Sequence, residues 1–140
     1  MMLVETRVGS SAIHGMGLFA KKSLPKGTPI WRFEPGFDQV FSAKAVAELP
    51  SVAQDHARHF SFISKADGFS ILSGDHACFI NHSDSPNTGA PTESTPAVTT
   101  VALRDIAAGE EITCNYFSFD ADAPRKLGTR SPAQQPGTII

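Results

Sequence analysis

Glycine and proline interrupt this chain so often that no long regular element can form in it. Its 140 residues include 11 Gly and 10 Pro, and both types end helices and strand ladders, Pro for want of an N–H and Gly through backbone entropy. Short runs remain between the breaks. Residues 4–8, 17–22, 29–33, 60–64, 69–72 and 98–103 are aromatic or β-branched and are bounded by Gly, Pro or Ser, which predicts short strands. Leu24-Pro25-Lys26-Gly27 and Asp105-Ile106-Ala107-Ala108-Gly109 read as turns. The predicted fold class is mostly β with short helices.

One region departs from this pattern. Ser42 stands before an alanine-rich stretch as an N-cap would, and a helical pattern resumes over residues 52–59 after Pro50. Two short helices broken at Pro50 therefore make an insertion over residues 42–59. Residues 88–96 show no periodicity and read as a loop. A C-terminal segment follows over 121–140, whose end, with Pro132 and Pro136, is expected to be mobile.

A hydrophobic fraction of 41% and a charged fraction of 19% suit one domain with its own core. The net charge of -2 argues against direct nucleic-acid binding, which favours a basic stripe. Two cysteines, Cys78 and Cys114, are too few for a disulfide scaffold or a four-ligand zinc site within one chain. Both lie in apolar runs and are expected to be buried thiols. No long apolar core marks a signal peptide, and no run reaches the ~18 apolar residues of a membrane span. A cytoplasmic protein is expected, or a nuclear one if the source is eukaryotic.

Three segments carry the chemistry. His14-Gly15-Met16-Gly17 precedes a strand and lacks the third glycine and βαβ setting of a dinucleotide fingerprint; alone, it is a tight hairpin turn. Asn81-His82-Ser83-Asp84-Ser85-Pro86-Asn87 is made of turn formers, yet Phe79-Ile80 just before it pins it to a core. Asn81 and His82 thus stand where buried chain emerges. Gly109-Glu110-Glu111-Ile112-Thr113-Cys114-Asn115-Tyr116 ends in the only tyrosine of the chain. A lone tyrosine is usually a core aromatic with its hydroxyl satisfied. Glu110 and Glu111 point to opposite faces of an extended chain, so they are assigned to structure or surface and not to an acid–base pair. Of Phe60, Phe62, Phe69, Phe117 and Phe119, most are expected in the core and one or two in a pocket wall.

In this order the three segments resemble the SET-domain protein-lysine methyltransferases, over residues 4–120. The resemblance implies a β-clip fold of small antiparallel sheets with a knot-like threading, in which the chain near Tyr116 passes under the loop at Asn81-His82. It implies S-adenosylmethionine as cofactor, contacted by Met16 and Gly17 mainly through backbone atoms and by Asn81 and His82 around its adenine and amino-acid parts. It places Tyr116 beside the reacting methyl group and gives Phe117 and Phe119 to the wall of a lysine channel. His82 becomes a packed hydrogen-bonding group, with no metal role. The acceptor implied is a lysine-containing protein or peptide, chosen in part by the 42–59 insertion.

The chain departs from the family in several places. Cys78 stands where arginine is common and Asn115 where aspartate is common. Gly89-Ala90-Pro91 replaces an aromatic that influences how many methyl groups fit, and Tyr116 has no second tyrosine beside it. The zinc cluster that completes the channel in many members is missing, so residues 117–127 or a partner subunit must complete it, which makes a homodimer possible. Two readings compete with the enzyme: a catalytically silent SET module that binds a peptide or protein, and a cofactor-binding sensor. Retention of all three motifs favours the enzyme.

Overall fold

The computed structural model describes residues 1–91 and 99–128. Among them the strands, in chain order, are β1 (Thr6–Ser10), β2 (Met16–Ala20), β3 (Pro29–Arg32), β4 (Gln39–Phe41), β5 (Phe62–Ile63), β6 (Ser70–Leu72), β7 (Asn81–His82), β8 (Thr88–Gly89), β9 (Thr99–Ala102) and β10 (Thr113–Cys114). The helices are α1 (Ala43–Ala47), α2 (Ser51–Phe60) and α3 (Ala123–Leu127), with one-turn 3₁₀ helices at His76–Phe79 and Tyr116–Ser118. The fold is mostly β, in small sheets: the hairpin β1-β2, the antiparallel sheets β3-β9-β8 and β4-β6-β5, and a parallel pair of β7 with β10.

The two predicted turns hold each other. Leu24 and Ile106 exchange backbone hydrogen bonds of 2.8 Å in both directions. Gly27 and Gly109, both at φ 85°, close the turns in a conformation that side chains disfavour. Leu24 and Ile106 thereby enter the core with Ala20, Ile30, Ala102 and Ile112. That core is aliphatic. None of the five phenylalanines, most of them expected there, belongs to it: Phe69 is exposed, and Phe60, Phe62 and Phe119 line a cavity.

The helical insertion forms as read. The Ser42 hydroxyl accepts the Ala45 N–H at 3.1 Å, and Pro50 opens α2. The helix runs to Phe60 because the Ser61 N–H and hydroxyl both return to the Ala57 carbonyl. The strand expected over 60–64 shrinks to β5 for that reason. The first strand begins at Thr6, since the chain before it is held by β3: Met2 bridges Trp31, and the Leu3 N–H donates to the Ile30 carbonyl at 2.8 Å. Thr88 and Gly89, expected in a loop, pair with Ala102 and Val101. Cys78 sits in a 3₁₀ turn capped by Asp75, not in a strand. The expected mobile end at 129–140 lies outside the described residues.

The threading is visible in hydrogen bonds. On one side β10 pairs with β7, Thr113 opposite Asn81. On the other, the Thr113 N–H donates to Asn87 Oδ1 at 2.8 Å and the Thr88 hydroxyl to the Thr113 carbonyl at 2.7 Å. The chain leading to Tyr116 is thus enclosed by the loop 81–88. Motifs far apart in sequence are brought to one place.

Candidate active site

Asn81, buried by its pairing with Thr113, turns its side-chain amide toward the glycine turn. It donates to the carbonyls of His14 at 3.1 Å and Met16 at 3.0 Å, and to Glu111 Oε1 at 2.8 Å. The Ser11 hydroxyl lies 2.8 and 2.9 Å from the two Glu111 carboxylate oxygens and also accepts the Ile13 N–H at 2.9 Å. Glu111 therefore ties the β1-β2 turn to Asn81, a part sequence reasoning left at the level of structure or surface. Gly17 is buried beside this carboxylate, while the Met16 side chain is exposed.

His82 is fixed from both ring nitrogens. Its Nδ1 accepts the Tyr116 N–H at 3.1 Å, so the ring proton resides on Nε2, which faces Asp84 Oδ1 at 3.1 Å. The ring packs on Tyr116 at 5.5 Å and on Phe117 at 5.6 Å between centroids. Asn115 caps the turn that follows, accepting the Phe117 N–H at 3.0 Å. Tyr116 thus leaves the strand in a 3₁₀ turn whose first N–H is held by an imidazole.

The Tyr116 hydroxyl donates to the Ile80 carbonyl at 2.6 Å. Burial pushes its pKa well above the usual phenol range, and the Asp120 carboxylate acts in the same direction. Its ring faces a cavity of about 450 Å³ walled by Trp31, Phe60, Phe62, Ile80 and Phe119 among others. Both cysteines line it as thiols: burial raises the Cys78 pKa and pushes Cys114 up to about 12. A smaller cavity of about 170 Å³ lies against α1 and α2, away from Tyr116.

The sequence-derived residues divide around this phenol. Met16, Gly17, Asn81 and His82 lie outside the cavity lining, with Asn81 donating to the Met16 carbonyl and Gly17 and His82 next to them in the chain. Phe119 lines the cavity, edge-on to Phe62 at 5.1 Å and to Tyr116 at 6.1 Å. Phe117 packs on His82 on the other side. Tyr116 is the partition between the two groups.

The far wall comes from the C-terminal segment. Asp120, buried to 1% exposure, accepts the N–H groups of Ile63 and Asp122 and the Lys126 ammonium, the last at 2.8 Å. Lys126 also donates to the Ser61 carbonyl at 2.5 Å, and Arg125 to the Arg58 carbonyl at 3.0 Å. This clasp brings Phe119, Asp120 and Lys126 into the cavity wall. Sequence reasoning missed Asp120, Lys126 and Trp31; the first two show only as an acid and a base six residues apart.

With this geometry in hand, known proteins give a consistent frame. The SET domain family matches residues 15–117. Human histone-lysine N-methyltransferase 2B is 30% identical over 131 residues, covering 84% of this chain and 4% of that protein. The H3 lysine-4 specific histone-lysine N-methyltransferase of Chaetomium globosum is 32% identical over 115 residues, covering 76% of this chain and 10% of that protein. The chain thus spans a small part of these relatives' length. Among solved structures, ctPRC2 in an autoinhibited conformation bound to S-adenosylmethionine superposes with a TM-score of 0.63 at 21% identity, over 89% of this chain and 16% of that one. KRYPTONITE in complex with mCHH DNA, an H3(1-15) peptide and SAH gives 0.56 at 22% identity, over 82% and 24%. At these identities the likeness to solved structures is one of fold.

Proposed function

The chain belongs to the SET-domain family, and from that premise we propose that it is a protein-lysine methyltransferase using S-adenosylmethionine. The observation that carries this reading is the Tyr116 hydroxyl bonded to the Ile80 carbonyl at 2.6 Å. The phenol stands in the wall of a mostly apolar cavity, and the Ile80 that accepts from it immediately precedes the Asn81-His82 pair.

The polar groups on the Asn81 side suit a sulfonium. The oxygens gathered there are the carbonyls of His14, Met16 and Ile80, the Tyr116 hydroxyl and the Glu111 carboxylate, dipoles and a negative charge that favour a cation. Met16, Gly17, Asn81 and His82 would hold S-adenosylmethionine, which when bound supplies an electrophilic methyl group.

The chain's own residues then have distinct tasks. Tyr116 stays protonated, and its donation to Ile80 fixes the ring while leaving oxygen lone pairs to accept weak C–H contacts. Phe119, Phe62 and Ile80 give the cavity apolar walls, and alignment of the reacting groups there supplies most of the acceleration. His82 is not available as a base, since Nδ1 is taken by the Tyr116 N–H. None is required. A lysine of pKa about 10.4 loses its proton to water near pH 8 at roughly 3 kcal/mol, and an apolar cavity disfavours the ammonium further.

The catalytic unit runs over residues 4–120, with the 42–59 insertion as a variable wall and α3 extending it to residue 127. Among the described residues the Asp120–Lys126 clasp anchors the C-terminal wall of the cavity; a homodimer could add to that wall. Because the two relatives are named for histone lysines, histone H3 is the first acceptor to try, and a nuclear site follows if it is the target. The test is titration calorimetry with S-adenosylmethionine and a labelled methyl-transfer assay on histone H3 and mixed lysine peptides. Cofactor binding with label on lysine is expected. Peptide binding without cofactor binding or transfer would leave the silent module.

A further inference from the structure

Tyr116 is seated through the main chain of the turn that carries it. Its own N–H donates to His82 Nδ1 at 3.1 Å, and at the next residue the Lys65 ammonium donates to the Phe117 carbonyl. The phenol hydroxyl then reaches the Ile80 carbonyl at 2.6 Å. The bond on the N–H fixes where the side chain starts, and the bond on the hydroxyl fixes where it ends.

The imidazole can fill this place only while neutral. A neutral ring has one donor and one acceptor nitrogen, whereas both nitrogens are donors in the cation. A proton added at Nδ1 would face the Tyr116 N–H, donor against donor. No rotation of the ring restores the bond, because the cation has no acceptor left. The ring is packed on Tyr116 and Phe117 and its side chain is 11% exposed, so water offers little replacement.

The groups around the ring leave the change of charge on this side. Asp84 Oδ1 lies 3.1 Å from Nε2, which carries a proton in both states. Cys114, opposite His82 on β10, is a neutral thiol. The Lys65 ammonium sits on the Phe117 carbonyl, and the Glu111 carboxylate on the amide of neighbouring Asn81. Imidazoles are the side chains that change charge between about pH 5 and 8.

We propose that His82 is a positioning residue: its neutral imidazole seats Tyr116 for methyl transfer, and a proton on Nδ1 releases that residue and stops turnover in acid. This rests on the methyltransferase reading and adds to it an acid limit set inside the protein, distinct from the one set by the acceptor lysine.

The chain has one tyrosine, so labelling tyrosine with nitrogen-15 leaves a single main-chain amide resonance, that of Tyr116. It is followed from pH 8 to 5 beside the His82 ring protons, assigned by their loss in His82→Asn. In the native chain it should move upfield with the midpoint of the ring. In His82→Asn it should stay flat, since the amide oxygen stands near where Nδ1 stood and takes up no proton. A flat native resonance, or the same change in both proteins by shift or by unfolding, overturns the inference. Should the variant not fold, the native titration decides, an amide midpoint apart from every histidine ring midpoint overturning it.

Methyl transfer under saturating cofactor gives the second reading, each protein being compared with its own rate at pH 8. The neutral fraction of the acceptor lysine falls about tenfold per pH unit for both. The native chain should lose about tenfold more for each unit below the His82 midpoint, and the variant no more than the lysine imposes. Equal slopes overturn the inference. Transfer intact beside a flat amide removes the positioning role alone, whereas a titrating amide without cofactor binding or transfer removes the enzyme reading.

Discussion

The Glu111 carboxylate occupies the space that a side chain at Gly17 would need: a Cβ built there lies 2.2 Å from Glu111 Oε1. The oxygen cannot simply swing away, because Ser11 and Asn81 hold it at 2.8 Å each. Glycine at this position therefore serves an internal carboxylate. Gly17→Ala should cost about 1–3 kcal/mol, the loss of bonds to a half-buried charged acceptor, and should weaken S-adenosylmethionine binding by loosening the 14–17 turn. Adding Glu111→Ala removes the overlap but also the tie to Asn81. Urea unfolding should show stability partly regained in the double variant, while calorimetry shows cofactor affinity still low. Equal stability of the single variant and the native chain would contradict the packing argument.

Tyr116→Phe removes the donor to Ile80 and nothing else of the ring. We expect the fold and cofactor affinity to survive and turnover to fall by at least a hundredfold, measured as labelled methyl transfer under saturating cofactor. Near-native turnover would take Tyr116 out of the chemistry.

The same phenol gives a pH prediction. Its folded pKa is raised above the unfolded value of about 10, so the folded state keeps its proton where the unfolded state loses it. Its contribution to stability is complete below about pH 10 and disappears as pH rises through the folded pKa. Cys78 and Cys114, also raised, start the same loss from about pH 8.5. Melting temperature should be flat from pH 7 to about 8.5 and fall beyond. Because the chain has one tyrosine, ultraviolet titration reads it alone; a folded-state midpoint near 10 would refute the burial.

What could be read from the sequence was local or was carried by resemblance. Ser42 and Pro50 act within a few residues of themselves, and the helices they bound appear where expected. The order of the three motifs carried the family and hence the threading. Phe60 went to a helix because Ser61 closes on Ala57, a side-chain preference that the aromatic run concealed. Thr88 and Gly89 became a strand because β9 is there to pair with them, which residues 88–96 do not announce. Glu111 meets Ser11 across 100 positions, and no local pattern marks such a pair.

The clasp of Asp120 with Lys126 makes the last prediction. Asp120 has a side-chain exposure of 1% and Lys126 of 17%, so screening by salt should be slight. Lys126→Met leaves a buried carboxylate with, among the described residues, the N–H groups of Ile63 and Asp122 for partners, and removing one member of such a pair costs about 3–5 kcal/mol. Asp120→Asn together with Lys126→Met removes both charges and should be less damaging than the lysine change alone. Since α3 and Phe119 hang on this pair, the single variant should also raise KM for a lysine peptide while leaving cofactor affinity near native, the Asn81 side being untouched. Urea unfolding at low salt and at about 1 M salt, with peptide kinetics, separates the outcomes. A loss under 1 kcal/mol that salt abolishes would make the pair an ordinary surface contact, and the channel wall would need another anchor.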